Sequence, residues 1–485
     1  MEVGLFFEFL QVAIGNRESL SRELSDNEWQ DIFRLLKEHA LLGVGFTAVE
    51  RLHAKGVVCP AQLRMQWYAL VVQIEKRNVQ LNAICKRVTE QYEHDGLSTC
   101  ILKGQGNLLN YPNGLGARRQ SGDIDVWAST INDCGIPIAV ETGKNIVEHI
   151  EYHGHRAVRE YVKMQYRMQG LNTMPKACYH HIDAPDMDGI EVEVHYRPTF
   201  CRSFIRNNRM QKWFAAHASE CMSNRTSEGF AVPTASFNVV YQMAHLFEHY
   251  FEGGIGLRQM MDYYFTLQVW QKEIMNCKHT QSQGMWSEGL GTPVMSATEI
   301  MAVLRSFGMG KFAAAVMWVL NEVFVGEHEN DNENEKNPQM TQMDTDGCPQ
   351  ADGDEWSEIS RNGQELKEIY IYPRMTQMDT DRCPQADLEG EQLLINDERL
   401  MINDCPWLLC EPNEVEGKRL LAEIMQGGNF GQYDTRDASL KKGGMMKHGL
   451  WKLKRVMRLV SSYPEEALWE PVFRVYHLGW RIVHQ

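Results

Sequence analysis

Arg119-Gln120-Ser121-Gly122-Asp123-Ile124-Asp125-Val126-Trp127-Ala128-Ser129 is a polar, glycine-containing loop that runs into an apolar stretch of strand length. Side chains alternate across a strand, so Asp123 and Asp125, two residues apart, are expected to face the same way. Two carboxylates held together repel unless a cation neutralises them. Mg²⁺ suits such a pair, because it takes hard oxygen ligands and keeps room for phosphate oxygens. Ile124 and Val126 would anchor the opposite face in the core.

An isolated Asp-x-Asp is a weak signal, and this chain has others at Asp344/Asp346, Asp379/Asp381 and Asp186/Asp188. The first two lie in a duplicated segment and the third in a turn, where aspartate is favoured for local hydrogen bonding. The flanking sequence sets Asp123 and Asp125 apart. Upstream, Ser98-Thr99-Cys100-Ile101-Leu102-Lys103-Gly104-Gln105-Gly106 reads as a buried strand feeding a tight turn and a short helix. Gly104, Gln105 and Gly106 would let backbone N–H groups approach an anion, and Lys103 would contact a triphosphate. Downstream, Gly189-Ile190-Glu191-Val192-Glu193-Val194-His195 alternates strictly. Glu191, Glu193 and His195 therefore share one face, and a third carboxylate is available from it. Glu193 is the first choice and Glu191 the second.

Further outward the texture is helical. Residues 1–95 read as a helical region in which Ser25 and Glu28 form a capping box. Residues 96–201 read as a compact α/β unit, with helical character at 138–153 and a hairpin around Asp186-Met187-Asp188-Gly189. Residues 202–326 return to helix, with a loop expected at 278–293. Residues 327–390 carry a near-repeat, NPQMTQMDTDGCPQAD at 337–352 and YPRMTQMDTDRCPQAD at 372–387, and read as a flexible acidic insertion. Deleting 330–388 is expected to cost little stability, since such a polar segment buries little apolar surface; thermal melts of the two chains would check this. Residues 391–485 end in a tryptophan-rich helical region. The fold class expected is α+β, mostly α: a small mixed sheet flanked by N- and C-terminal helices.

The 485 residues have an ordinary globular composition, 43% hydrophobic and 23% charged. Of the net charge of −15, the 17 acidic and 5 basic residues between Gly326 and Gly390 supply −12, so the remaining chain is nearly neutral. No apolar run approaches the ~20 residues of a membrane span. The apolar N-terminus carries Glu2 and Glu8 where a signal peptide has basic residues, so a cytoplasmic protein without membrane attachment is expected. The twelve cysteines are scattered without a C-x-x-C pair and read as idle thiols.

Leu102-Lys103-Gly104, then Arg119-Gln120-Ser121-Gly122-Asp123-Ile124-Asp125, then Val192-Glu193-Val194-His195-Tyr196-Arg197 together resemble the polymerase-β-like nucleotidyltransferase superfamily. More narrowly they are similar to its bacterial uncharacterised nucleotidyltransferase branch, and GLRQMMD at 256–262 and residues 411–434 share that likeness. Two features depart from the pattern: the superfamily's usual Gly-Gly or Gly-Ser is Gly104-Gln105 here, and the acidic insertion is additional. The resemblance implies transfer of a nucleoside monophosphate from an NTP to a hydroxyl acceptor. Asp123, Asp125 and Glu193 would hold two Mg²⁺ ions, and Lys103, Gly104, Gln105, Gly106, Arg119 and Ser121 would grip the nucleotide. Whether the acceptor is a small molecule, a protein or RNA, and the oligomeric state, are left open.

Other readings compete. A non-catalytic nucleotide- or partner-binding protein on the same fold is the alternative from another class. His245 and His249, at i and i+4, have a zinc-ligand spacing but lack the glutamate of H-E-x-x-H, so they are read as structural. Arg258 and Asp262, also at i and i+4, are expected to pair, with contact to the nucleotide the alternative for Arg258. His180 and His181, being adjacent, are expected on opposite strand faces. The basic stretch from Lys441 to Arg458 would suit a nucleic-acid acceptor, though such cations more often form a solvated or packing face of a helix.

Overall fold

A computed structural model describes residues 2–112, 114–130, 154–282, 294–326, 407–436, 438–441 and 444–484. Two compact units are distinguished, Met1–His328 with Leu400–Gln485, and Glu329–Arg399. All described residues belong to the first. The acidic repeats and the helix expected at 138–153 lie outside the described residues.

Four helices come first: α1 (Val3–Ile14), α2 (Asp26–Glu38), α3 (Leu42–Ala54) and the long α4 (Ala61–His94). Helix α2 starts where the Ser25/Glu28 box predicts, with the Ser25 N–H donating to Glu28 Oε2 at 3.0 Å. Then follow β1 (Leu97–Ile101), the one-turn α5 (Gln105–Leu108), β2 (Ile124–Thr130), α6 (Gly154–Met168), β3 (His181–Asp183) and β4 (Val192–His195). Helices resume with α7 (Phe204–Ala216), α8 (Ala218–Ser223), α9 (Ala235–Glu252), α10 (Leu257–Ser282), α11 (Ala297–Ser306) and α12 (Gly310–Leu320). Beyond the acidic segment stand α13 (Glu414–Gly427), α14 (Ala438–Lys441), α15 (Met445–Leu459) and α16 (Pro464–His484). The protein is mostly helical with one small mixed sheet. Of the loop expected at 278–293, the first residues belong to α10, which continues to Ser282, and 283–293 lie outside the described residues.

The strand order is β1-β2-β4-β3. Strand β2 lies antiparallel to β1 and parallel to β4, and β3 is antiparallel to β4. The β3–β4 hairpin turns through Asp188 and Gly189, at φ +55° and +73°, with Met187 and Ile190 exchanging backbone hydrogen bonds. Both central residues at positive φ make the turn that matches strand twist, and Asp-Gly is its favoured pair.

Alternation divides the sheet. Ile124, Val126, Val192 and Val194 join Ile84 and Val88 of α4 and Val158 and Val162 of α6 in one buried cluster. Trp127 belongs to the other cluster and stacks on Phe237 of α9, ring centroids 5.4 Å apart. Asp125, two residues before Trp127, therefore points to the α9 side.

Where α2 ends, His39 is fully buried and its Nδ1 accepts from the Leu257 N–H at 3.3 Å. Burial pushes its pKa down to about 4. A histidine held neutral in the fold adds stability above its unfolded pKa that is lost as pH falls through the folded one. Stability is therefore expected to drop between about pH 6.5 and 4, by up to roughly 3 kcal/mol from this group. Urea unfolding of the parent and His39→Gln across that range would check it, the variant showing the flatter profile.

Candidate active site

Sheet register brings the acidic residues together. Asp125 on β2 stands directly beside Glu193 on the parallel β4, and Trp127 beside His195. Leu102 extends the β1 pairing, its N–H donating to the Asp125 carbonyl at 3.0 Å. Lys103 is thereby delivered to the Asp125 side chain, with Nζ 3.0 Å from Oδ1. His195 Nε2 meets the same oxygen at 3.0 Å and lies 3.6 Å from Glu193 Oε2. The donor atoms of Asp125, Glu193 and His195 all fall within 4.8 Å of one another.

Asp123 sits just before β2 and lines the same cavity as Lys103 and Glu193, a space of about 720 Å³. It also borders a second cavity of about 480 Å³ with Ser121, Glu191 and Arg258. Asp123 is not part of the close Asp125–Glu193–His195 group among the described residues.

The charges explain one another. Burial alone would raise the Asp125 carboxyl, but the Lys103 ammonium and the His195 hydrogen bond outweigh it and hold the group well below the usual carboxylate range. Asp123 is pushed the other way, chiefly by the Asp125 charge and then by burial. Burial opposes ionisation of Glu193 too, yet its His195 hydrogen bond keeps it lowered. His249 falls to about 4, mainly through burial and then through the Lys103 charge.

Several expected site residues are placed differently. Arg119 is buried, and its guanidinium grips Asp262 of α10 with Nε–Oδ1 at 2.6 Å and Nη2–Oδ2 at 2.7 Å. The same guanidinium also donates to Ser121 Oγ at 2.7 Å. The Arg258–Asp262 pair gives way for the same reason. Asp262 is occupied by Arg119 and by the Tyr111 hydroxyl, while Arg258 donates to the Gln120 carbonyl and lies over the Phe430 ring. Gln105 turns its amide into the helical region, donating to Asn82 Oδ1 at 2.7 Å and to the Asn78 carbonyl at 3.2 Å. Gly106 is required by packing, since a Cβ there would stand 2.6 Å from the Ile101 carbonyl oxygen.

The histidines also depart from expectation. His180 and His181 do not face apart: His181 Nδ1 is 2.9 Å from His180 Nε2, and both line the large cavity. His180 precedes β3, where the chain bends, and alternation holds only within extended backbone. His245 and His249 point their Nε2 atoms at each other, 2.9 Å apart, and His245 reaches Lys103 Nζ at 3.1 Å. Their helical spacing was visible in the sequence; the lysine, 142 residues away, was not.

Helix α16 supplies the far wall through Arg474, His477 and Arg481. It is fastened there by Arg202, which pairs with Glu470 and Glu466. The basic stretch before it is in part a packing face. Arg455 is buried against the Tyr250 carbonyl at 2.7 Å, and Lys452 lines the cavity.

Among the described residues no helix is long and apolar enough to cross a membrane. No curated protein and no solved structure matches the chain. One family model, described as uncharacterised nucleotidyltransferase, matches residues 25–284, a span that holds α2 to α10 and the whole sheet. Since that is more than half of its length, the chain belongs to the uncharacterised nucleotidyltransferase family.

Proposed function

We propose that the protein transfers a nucleoside monophosphate from an NTP to an acceptor hydroxyl and releases pyrophosphate, with Asp123, Asp125 and Glu193 holding Mg²⁺. The carrying observation is the Asp125–Glu193 register on neighbouring parallel strands. The donor set suits the ion: these are hard oxygens, and Asp125 Oδ2 is buried with no hydrogen-bond partner. Bound Mg²⁺ would lower the acceptor hydroxyl's pKa and offset charge on the departing pyrophosphate.

The chain's own residues do the positioning. Lys103, held beside Asp125, is placed to meet phosphate oxygens at the metal end of the cavity. Arg474 and Arg481 of α16, with Lys176, put further cations along the cavity wall for the triphosphate. Arg258 and Ser121 border the neighbouring space beyond Asp123, and Arg258 takes over the role first expected of Arg119. The backbone at Gly104, Gln105 and Gly106 remains a proposed phosphate contact.

A non-catalytic nucleotide-binding reading has one observation in its favour: Lys103 already supplies Asp125 with a cation. Equilibrium dialysis of labelled NTPs with and without Mg²⁺, followed by pyrophosphate release in a cell extract, separates the two. Mg²⁺-dependent binding with release supports transfer, and binding without release on any acceptor supports the alternative. An intact chain that binds no NTP in Mg²⁺ would sink both.

The two strand glutamates should differ. Glu193→Gln is expected to lower transfer by about a hundredfold or more, because one carboxylate ligand of the proposed Mg²⁺ is lost. Glu191→Gln should stay within a few-fold, since Glu191 is exposed and borders only the second cavity. Equal losses would show that the register does not select between them.

A further inference from the structure

The large cavity has an imidazole-rich end beside the proposed transfer centre, and the transfer reading gives its histidines no ligand role. We propose that a nitrogen-preferring divalent cation of the zinc class binds there, held by His180, His181, His195 and Glu193. The ring nitrogens of the three histidines lie within 4.8 Å of one another. His181 Nδ1 is 2.9 Å from His180 Nε2 and 3.6 Å from Glu193 Oε2, and that carboxylate oxygen is 3.6 Å from His195 Nε2. Ligands about 2.1 Å from a tetrahedral ion stand ~3.4 Å apart, and the His181–Glu193 and Glu193–His195 spacings of 3.6 Å are close to that.

The outer nitrogens support the same orientation. His181 turns Nε2 to Asp183 Oδ1 at 3.5 Å, and His195 turns Nδ1 to the Arg197 carbonyl at 3.4 Å. Carboxylate and carbonyl partners of this kind aim the opposite ring nitrogen at a metal. His180, His181 and Glu193 line the cavity, which gives an ion a way in. Three nitrogens with one oxygen favour Zn²⁺ or Co²⁺ over Mg²⁺, which prefers an all-oxygen shell. The site shares Glu193 with the proposed transfer centre but does not depend on that reaction.

Calorimetric titration of the metal-stripped full chain with Zn²⁺, with no nucleotide present, tests this. One equivalent is expected to bind, weakened at least tenfold in His180→Ala and in His181→Gln, with circular dichroism confirming that both variants fold. Co²⁺ in place of Zn²⁺ should give intense visible bands of a four-coordinate ion, lost in the same variants. Should a variant fail to fold, the Co²⁺ spectrum of the parent chain decides, and a six-coordinate spectrum overturns the assignment. So does absence of Zn²⁺ binding, or binding that survives both substitutions and disappears in His245→Ala/His249→Ala. Because the readout contains no nucleotide, it stands or falls separately from transfer.

Discussion

Asp123→Asn is expected to reduce nucleotidyl transfer by about a thousandfold, the scale of losing one electrostatic stabiliser of a transition state, while leaving stability unchanged or raised. The two halves of that expectation share a cause. Asp123 is held beside the Asp125 carboxylate, and its pKa is raised by that charge and by burial. A carboxyl with a raised folded pKa binds more protons in the folded than in the unfolded state. Stability from it is therefore greatest at low pH and falls as pH rises through the folded pKa, so near neutrality its charge is a burden. Removing the charge relieves the fold and empties the proposed metal position. Pyrophosphate release and thermal melts on the same preparation check both. Transfer within tenfold of the parent would remove Asp123 from the mechanism, and a clear loss of stability would contradict the repulsion.

Asp125 should behave differently. Its carboxylate holds both Lys103 and His195 in a buried setting. Asp125→Asn leaves a half-buried ammonium without its counter-charge, so it is expected to cost stability as well as activity. Loss of activity in that variant alone would therefore not separate chemistry from folding.

The second large effect concerns Arg119. Arg119→Met is expected to destabilise the chain by about 3–5 kcal/mol, because it strands the buried Asp262 carboxylate. Both groups are almost fully buried, at 4% and 5% side-chain exposure, and their geometry is bidentate. Tyr111 donates to the same carboxylate at 2.6 Å, so three segments meet at one charge. Arg119→Met with Asp262→Leu should recover part of the loss, since no unpaired charge then remains. Chemical denaturation of the two single variants and the double measures the coupling. A single-variant loss below about 1 kcal/mol would place the pair among weak surface bridges. The pair also joins the segment before Asp123 to α10, so a weakened variant should show poorer NTP binding even where it still folds.

Local pattern made much of this protein legible. Strict alternation in Ile190–His195 gave the buried and polar faces of β4, and Asp188-Gly189 announced the tight turn beside it. Ser25 and Glu28 marked the start of α2. Where the reading failed, local pattern was the wrong guide. His180 and His181 were separated by a rule that holds only in extended chain, and His180 lies in a bend. Arg258 and Asp262 have ideal helical spacing, but Asp262 met a better-placed guanidinium from 143 residues away.

By itself the amino-acid order determined which residues form short strands and helices, which faces are apolar, and which motifs carry the family likeness, because those properties rest on neighbours within a few positions. Only the tertiary structure decided partners: Glu193 beside Asp125, Lys103 between Asp125 and His245, Arg119 on Asp262, and α16 against the cavity. Each of those joins segments far apart in the chain, and which charge reaches another first depends on how the helices close around the sheet.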